Sequence, residues 1–183
     1  PLGCATAVLG CKDITMPDDI VTTLIRAAAE SGTRLRDEGE ENTPQIGQIV
    51  FDFGRNYIHI AREYPEITRC YIDSKAKELS ENDIQEIIGL ARRGYIAIVD
   101  VFSLDSDEKR RLAAARICDA VYESSAQRMR EGLTNNYIQI YLTKYAKDFI
   151  GDGQSDASGR IYNKIARDGE KLNIGLVYAT DIP

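Results

Sequence analysis

"VLGCKDITMPDDIV", residues 8 to 21, reads as the end of a buried strand, a glycine at Gly10, a short connection, and a helix opening on Pro17 with Asp18 and Asp19 in its first turn. Proline suits the first helical position because its missing N–H has no intrahelical partner there, and the acids complement the positive end of the helix dipole. A strand that passes through a few residues into a helix is the building unit of α/β domains. The same connection is where such proteins seat a phosphate, against the helix N-terminus.

Further apolar, β-rich runs follow: "GQIVFDF" (Gly47 to Phe53), "GYIAIVDVF" (Gly94 to Phe102), "YIQIYL" (Tyr137 to Leu142) and "NIGLVYAT" (Asn173 to Thr180), with "TRCYID" (Thr68 to Asp73) a weaker one. Most are continuous rather than alternating, as expected of strands buried on both faces of a parallel sheet. Helical patterns separate them. The first helix spans about Pro17 to Ser31, with a stripe of Ile20, Leu24 and Ala27 or Ala28 flanked by Val21 and Ile25. Ser80 and Asp83 make a capping box for a helix bearing Ile84, Ile87, Ile88 and Ala91 and stopped by Gly94. A longer helix runs from Ser106 to about Glu131, ended by Gly132. In "SGRIYNKIARDG" a last helix carries Ile161, Ile165 and Ala166, with Gly169 just past its end. The alternation predicts one three-layer α/β domain over residues 1–183, a mainly parallel sheet with helices on both faces. "RDEGEENTP" (Arg36 to Pro44) reads as a charged loop, and no repeat or linker divides the chain.

Composition narrows the function classes. At 43% hydrophobic and 28% charged, with no run near the ~18 apolar residues of a membrane span, the 183-residue chain reads as a soluble domain. "PLGCATAVLG" has no basic segment ahead of its apolar stretch, so it does not read as a signal peptide, and a cytoplasmic protein is expected. Cys4, Cys11, Cys70 and Cys118 are scattered, and His59 is the sole histidine, which argues for reduced thiols and against a zinc site. A net charge of −6 argues against binding nucleic acid through bulk charge, while leaving room for local basic stripes.

The chain resembles the RecA-like motor core of the HerA/FtsK family of hexameric DNA translocases, HerA-type P-loop ATPases above all. The terminal stretch "IYNKIARDGEKLNIGLVYATDIP" is similar to that family's helix, turn and strand ending in a polar residue and proline. "ATAVLG" and the helix at Pro17 look like its first strand and phosphate loop, "IGQIVFDF" like its second strand, "YIAIVDVFSLDSDEKRRLAAARICDAVYES" like a strand and the following helix, and "IQIYL" like the Walker B strand. Only the segment from Asn56 to Arg93 is shorter than usual for the family. The resemblance implies a RecA-like fold, ATP and Mg²⁺ if the family function is retained, a homo-oligomeric ring, DNA as a partner and no membrane.

The chemical positions depart from that pattern. Placed on Gly10, the motif G-x-x-x-x-G-K-[ST] puts Thr15 at the second glycine, Met16 at the lysine and Pro17 at the hydroxyl residue. Met16 brings no charge to the β and γ phosphates, and Pro17 has neither a hydroxyl for Mg²⁺ nor an N–H for phosphate. Thr143 and Lys144 stand where the Walker B acids belong, Asp181 where a glutamine senses the γ phosphate, and Gly54-Arg55-Asn56-Tyr57 where Gly-Glu-Tyr is usual. One substitute and one surviving family feature are available. Lys12 can point into the loop in place of the lost lysine, and Arg167 in "IARDG" stands where an arginine reaches a neighbouring subunit's nucleotide, or else is a helix-end cation facing the dipole and the neighbourhood of Asp168.

Strand and helix signals are intact while the chemical positions are altered together, which describes a degenerate motor core with weak or absent ATP hydrolysis. The alternatives are an active ATP hydrolase of the DNA translocase or helicase type, and a non-catalytic or re-engineered scaffold without nucleotide function. Asp52 and Asp100 end adjacent strand patterns and suit either a residual metal or substrate site or capping of the turns that follow. "DFG" at Asp52 to Gly54 has no accompanying kinase motif. Arg92, Arg93, Arg110, Arg111 and Arg116 suit a DNA channel, a subunit contact, or a solvated face paired with Asp107, Glu108 and Asp119.

Overall fold

The computed structural model describes residues 6–10, 17–37, 46–72, 79–134, 136–142 and 157–181. Six strands, β1 (Thr6–Gly10), β2 (Gly47–Asp52), β3 (Thr68–Ile72), β4 (Ile96–Asp100), β5 (Ile138–Leu142) and β6 (Ile174–Asp181), form one sheet in the order β1-β6-β5-β2-β4-β3. All five pairings are parallel. This is the α/β architecture the patterns predict, and every strand therefore opens its carboxyl end on the same edge.

Among the described residues five helices flank the sheet: α1 (Pro17–Asp37), α2 (Ile58–Glu63), α3 (Glu81–Arg92), α4 (Asp107–Arg130) and α5 (Ala157–Leu172). Because side chains alternate along a strand, each buried strand feeds two cores. Ile49, Phe51, Ala97, Val99, Ile138 and Ile140 meet α3, α4 and α5 through Ile87, Ile117, Val121 and Ile165. Val50, Ile96, Ile98, Tyr141 and Val177 meet α1 and α2 through Val21, Ile25, Ala29 and Ile60. At about 25 cal/mol per Å² of apolar surface removed from water, these two layers hold the domain together.

The helix starts follow local chemistry. Ser80 accepts from Asp83 N–H while the Asp83 carboxylate accepts from Ser80 N–H, completing the capping box of α3. The Ser106 side chain accepts from Lys109 N–H at the start of α4. Gly94 (φ 80°) and Gly132 (φ 73°) follow α3 and α4 in the left-handed conformation that a glycine adopts without strain.

Several expectations need correction. The first helix continues to Asp37, and its buried face is Val21, Ile25 and Ala29; Leu24 and Ala27 are exposed. The buried stripe thus lies one residue along from the one expected, because the helix meets the sheet with the side of its apolar arc that carries Val21 and Ile25. Helix α5 runs through Gly169 to Leu172, and Asn173 (φ 57°) makes the turn instead. Gly169 is needed for contact: a Cβ there would lie 2.5 Å from the Ile174 carbonyl oxygen. Ala166 is exposed, while Tyr162 and Leu172 join the core. The short helix α2 was not expected.

Candidate functional site

The strand-to-helix unit at the chain start lies at one end of the sheet. β1 pairs with β6, and the register sets Gly10 opposite Asp181 at their carboxyl ends. Gly10, Asp181 and the first turn of α1 at Pro17 thus share the carboxyl edge, where open α/β sheets gather ligands. Lys12, Thr15 and Met16 lie outside the described residues, as do Thr143 and Lys144 beyond β5.

Arg167 is not brought to this edge. It lies ten residues into α5, a run of about 15 Å along the axis away from the carboxyl edge. Its side chain is 75% exposed, and its guanidinium holds the Asp168 carboxylate at 2.8 Å. The Tyr122 hydroxyl, from α4, donates to that carboxylate at 3.4 Å. The hydrogen bond and charge of Asp168 raise the arginine pKa, and Arg167 in turn lowers that of Asp168. Arg167 is thus a cation near the helix end held by its neighbour Asp168.

The described part of the carboxyl edge is built around Asp52 and Asp100, which face each other across β2 and β4. Asp52 Oδ1 accepts from Gly54 N–H (3.1 Å) and Asn56 N–H (2.9 Å), and Oδ2 accepts from Tyr57 N–H (3.0 Å). Asp100 accepts from Ser103 N–H (3.3 Å), Ser103 O–H (2.9 Å) and Arg55 Nε (3.2 Å). Both carboxylates are buried, and these donors satisfy their oxygens. Their lone pairs are engaged in turning the chain, so of the two readings of these aspartates the geometry supports capping. Among the described residues no group of three metal-ligating side chains forms. The gap between Asp52, Arg55, Cys70 and Asp100 is about 10 Å³, room for one water at most.

Arg55 was read only as a departure from a motif, yet it organises this corner. It sits at φ 58°, a conformation uncommon for a non-glycine residue, and donates to both Asp100 and Ser103. Its guanidinium lies 5.5 Å from the Phe102 ring centroid and that of Arg110 lies 5.2 Å from it. Phe102 is nevertheless 44% exposed. No sequence signal marks the left-handed arginine, because only the positions of its partners require it.

The basic residues do not form one face. Arg110 pairs with Asp107 beside Phe102 at the carboxyl edge, and Arg116 reaches Glu81 at 3.8 Å. Arg92 and Arg93 end α3 at the opposite, amino edge. Between α3 and α4 runs a groove of about 450 Å³, lined among others by Glu81, Arg116, Asp119, Glu123, Ser124 and Gln127. No described helix is long and apolar enough to cross a membrane.

No protein-family model and no curated protein matches the chain. Its fold is similar to that of a solved structure of EssC (ATPases 2 and 3) from Geobacillus thermodenitrificans, with a TM-score of 0.51 and 14% identity. The match covers 98% of this chain and spans 28% of that one. At that identity the likeness concerns the fold alone, a parallel α/β sheet flanked by helices.

Proposed function

We propose that the chain is a degenerate RecA-like motor core, with weak or absent ATP hydrolysis, that acts through its fold and its contacts rather than through nucleotide chemistry. The observation that carries this reading is the pairing of Gly10 with Asp181 beside a helix that opens on Pro17. A strand, a short connection and a helix N-terminus stand where a phosphate would bind, but the residues at the binding positions oppose one. Asp18 and Asp19 supply negative charge to the first turn, and Asp181 adds an acid at the end of the neighbouring strand. Carboxylates at these points repel a polyphosphate. Met16 and Pro17 offer no lysine and no Mg²⁺ ligand to offset them, and losing such preorganised groups lowers rate by orders of magnitude. Arg167, bound to Asp168, reaches a nucleotide only in another copy and only by releasing that partner.

The test is a titration of the protein with a fluorescent ATP analogue and Mg²⁺, beside the variant Met16→Lys. The expected result is no saturable binding by the unaltered chain and partial recovery in the variant. Micromolar binding by the unaltered chain overturns the proposal and makes Lys12 the first candidate for a substitute cation. ATP and Mg²⁺ would then belong to the chain's function, with a ring and DNA as the next partners to test.

A further inference from the structure

Strand β3 closes one side of the sheet and pairs with β4 alone among the described strands. An edge strand keeps half of its backbone N–H and C=O groups pointing outward, a template for pairing with another chain. The ladder fixes which half. Ile96 N–H donates to the Ile67 carbonyl at 2.8 Å, so Ile67, Arg69 and Tyr71 turn their backbone groups toward β4, and Thr68, Cys70 and Ile72 turn theirs outward. Arg69 and Cys70 are exposed. Arg69 Nη1 donates to the Thr68 carbonyl at 2.9 Å, which still leaves that oxygen one lone pair.

The side chains along this edge are sorted by charge. Toward the amino end of β3, Arg69 and Arg93 rest on one ring, that of Tyr95, at 6.0 and 5.9 Å from its centroid. Toward the carboxyl end, Tyr71 stands beside α3, where burial first, and then the charges of Glu86 and Asp83, raise its pKa. Glu86 is exposed. Among the described residues neither Arg69 nor Arg93 pairs with a carboxylate, and Glu86 pairs with no cation. The edge thus carries unpaired positive charge at one end and unpaired negative charge at the other. A second β3 running the same way would set like charges together; one running the opposite way sets Arg69 against Glu86.

We propose that β3 is the pairing edge for a second copy of this chain, the two strands running antiparallel about a two-fold axis at Cys70. Cys70 is the central residue of β3 and its backbone groups face outward, so the two copies exchange both Cys70 N–H···O=C bonds. Thr68 then lies opposite Ile72, whose backbone groups also face outward, and Arg69 lies opposite Tyr71. That last pair is the closer, non-hydrogen-bonded kind, which brings each Arg69 guanidinium to the other copy's Tyr71 ring and Glu86 carboxylate. An axis at Thr68 or Ile72 satisfies the backbone but overlaps fewer residues and loses this match of charge. The contact is isologous, so each interaction occurs twice. With one five-residue strand per copy it belongs to the small, reversible class. It does not depend on the nucleotide reading.

The experiment is sedimentation velocity of the full chain from about 10 µM to about 1 mM, concentrations suited to a small contact. The mass should rise with concentration from 20.4 kDa toward that of a dimer. Arg69→Glu and Glu86→Arg should each weaken association about tenfold or more, because each reversal sets two like-charge pairs across the axis. The double variant carrying both should recover it. Arg160→Glu, an equal charge change at an exposed position of α5, should leave it unchanged. Cys70→Pro removes an outward N–H and no bond to β4, so it should abolish the dimer while circular dichroism and melting still show a folded chain. Dibromobimane, which becomes fluorescent on bridging two neighbouring thiols, should link Cys70 to Cys70, whose Cα atoms lie about 5.5 Å apart in such a pair. The proposal is overturned if the chain stays at 20.4 kDa at the highest concentration, or if Arg160→Glu acts as strongly as Arg69→Glu. It is equally overturned if a dimer forms without the Cys70–Cys70 link in its peptides. A ring of six copies indifferent to the β3 variants also overturns it, and leaves the reading of the nucleotide edge to the ATP titration.

Discussion

Gly89 and Gly169 both sit inside helices, and replacing each with alanine is expected to give opposite results. Gly89, in α3, has open space where a Cβ would stand, whereas a Cβ on Gly169, in α5, would lie 2.5 Å from the carbonyl oxygen of Ile174. Alanine raises helix propensity by about 0.8–1 kcal/mol at either site and removes similar freedom from the unfolded chain. The difference between the variants therefore isolates the overlap. Ordinary carbon–oxygen contacts lie near 3.3 Å or beyond, so α5 must retreat by roughly 0.8 Å. That oxygen belongs to the first residue of β6, fixed in the ladder with β5, so it cannot yield cheaply. Overpacking of this kind costs about 1–3 kcal/mol. Gly89→Ala should raise the melting temperature by about 2–4 °C for a domain of this size. Gly169→Ala should fall below Gly89→Ala by about 1–3 kcal/mol in urea denaturation, with the slope m unchanged. If Gly169→Ala is as stable as Gly89→Ala, helix α5 does not approach β6 as described and the reasoning fails.

Other outcomes follow from the carboxyl edge. Asp52→Ala leaves the N–H groups of Gly54, Asn56 and Tyr57 without their acceptor and should lower stability by about 2–4 kcal/mol in thermal melts. Asp52→Asn, which keeps one acceptor oxygen, should lose clearly less; equal losses would mean that charge rather than hydrogen bonding stabilises the turn. For the thiols, burial raises the pKa of Cys118 far above its usual value, and burial followed by the charges of Asp52 and Asp100 raises that of Cys70. A raised pKa means less thiolate at neutral pH, so iodoacetamide labelling read by mass spectrometry should spare Cys118 in the native state. Cys70 should label slowly near pH 7 and faster as pH rises, and Asp100→Asn should accelerate it. Rapid labelling of Cys118 would contradict its burial.

The sequence was most legible where local chemistry and packing agree. Ser80, Asp83, Ile84, Ile87, Ile88, Ala91 and Gly94 mark α3 from cap to stop, and each occupies the place its chemistry suggests. Helix α1 was legible as a helix but not in its facing, because apolar residues cover enough of its surface that only contact with the sheet decides which are buried. Gly169 reads as a stop signal in one dimension; the neighbouring strand makes it a point of contact. Helix α2 is six residues long and follows Tyr57, which makes no side-chain cap, so it is too short for periodicity to register. At the site, the strand-end aspartates were visible but their use was not, since their acceptor role depends on the turns that fold back over them. Arg55 and the Arg92–Ser124 contact join residues 45 and 32 positions from their partners, a separation no local pattern reports.

A parallel sheet with helices returning on both sides also fixes the direction of the protein's electric field. Among the described helices, Glu81, Asp83, Asp107 and Glu108 stand in first turns and Arg62, Arg92, Arg128, Arg130 and Lys171 in last turns. Side-chain charge at these helix ends thus runs opposite to the helix dipoles, and it is not spread evenly despite the net −6. At physiological ionic strength charges are felt over about 8 Å, less than the length of one of these helices, so an approaching ion meets the nearest helix ends before it meets the total. Association with charged molecules is then a matter of orientation, and an anion repelled by the average can be received at one edge.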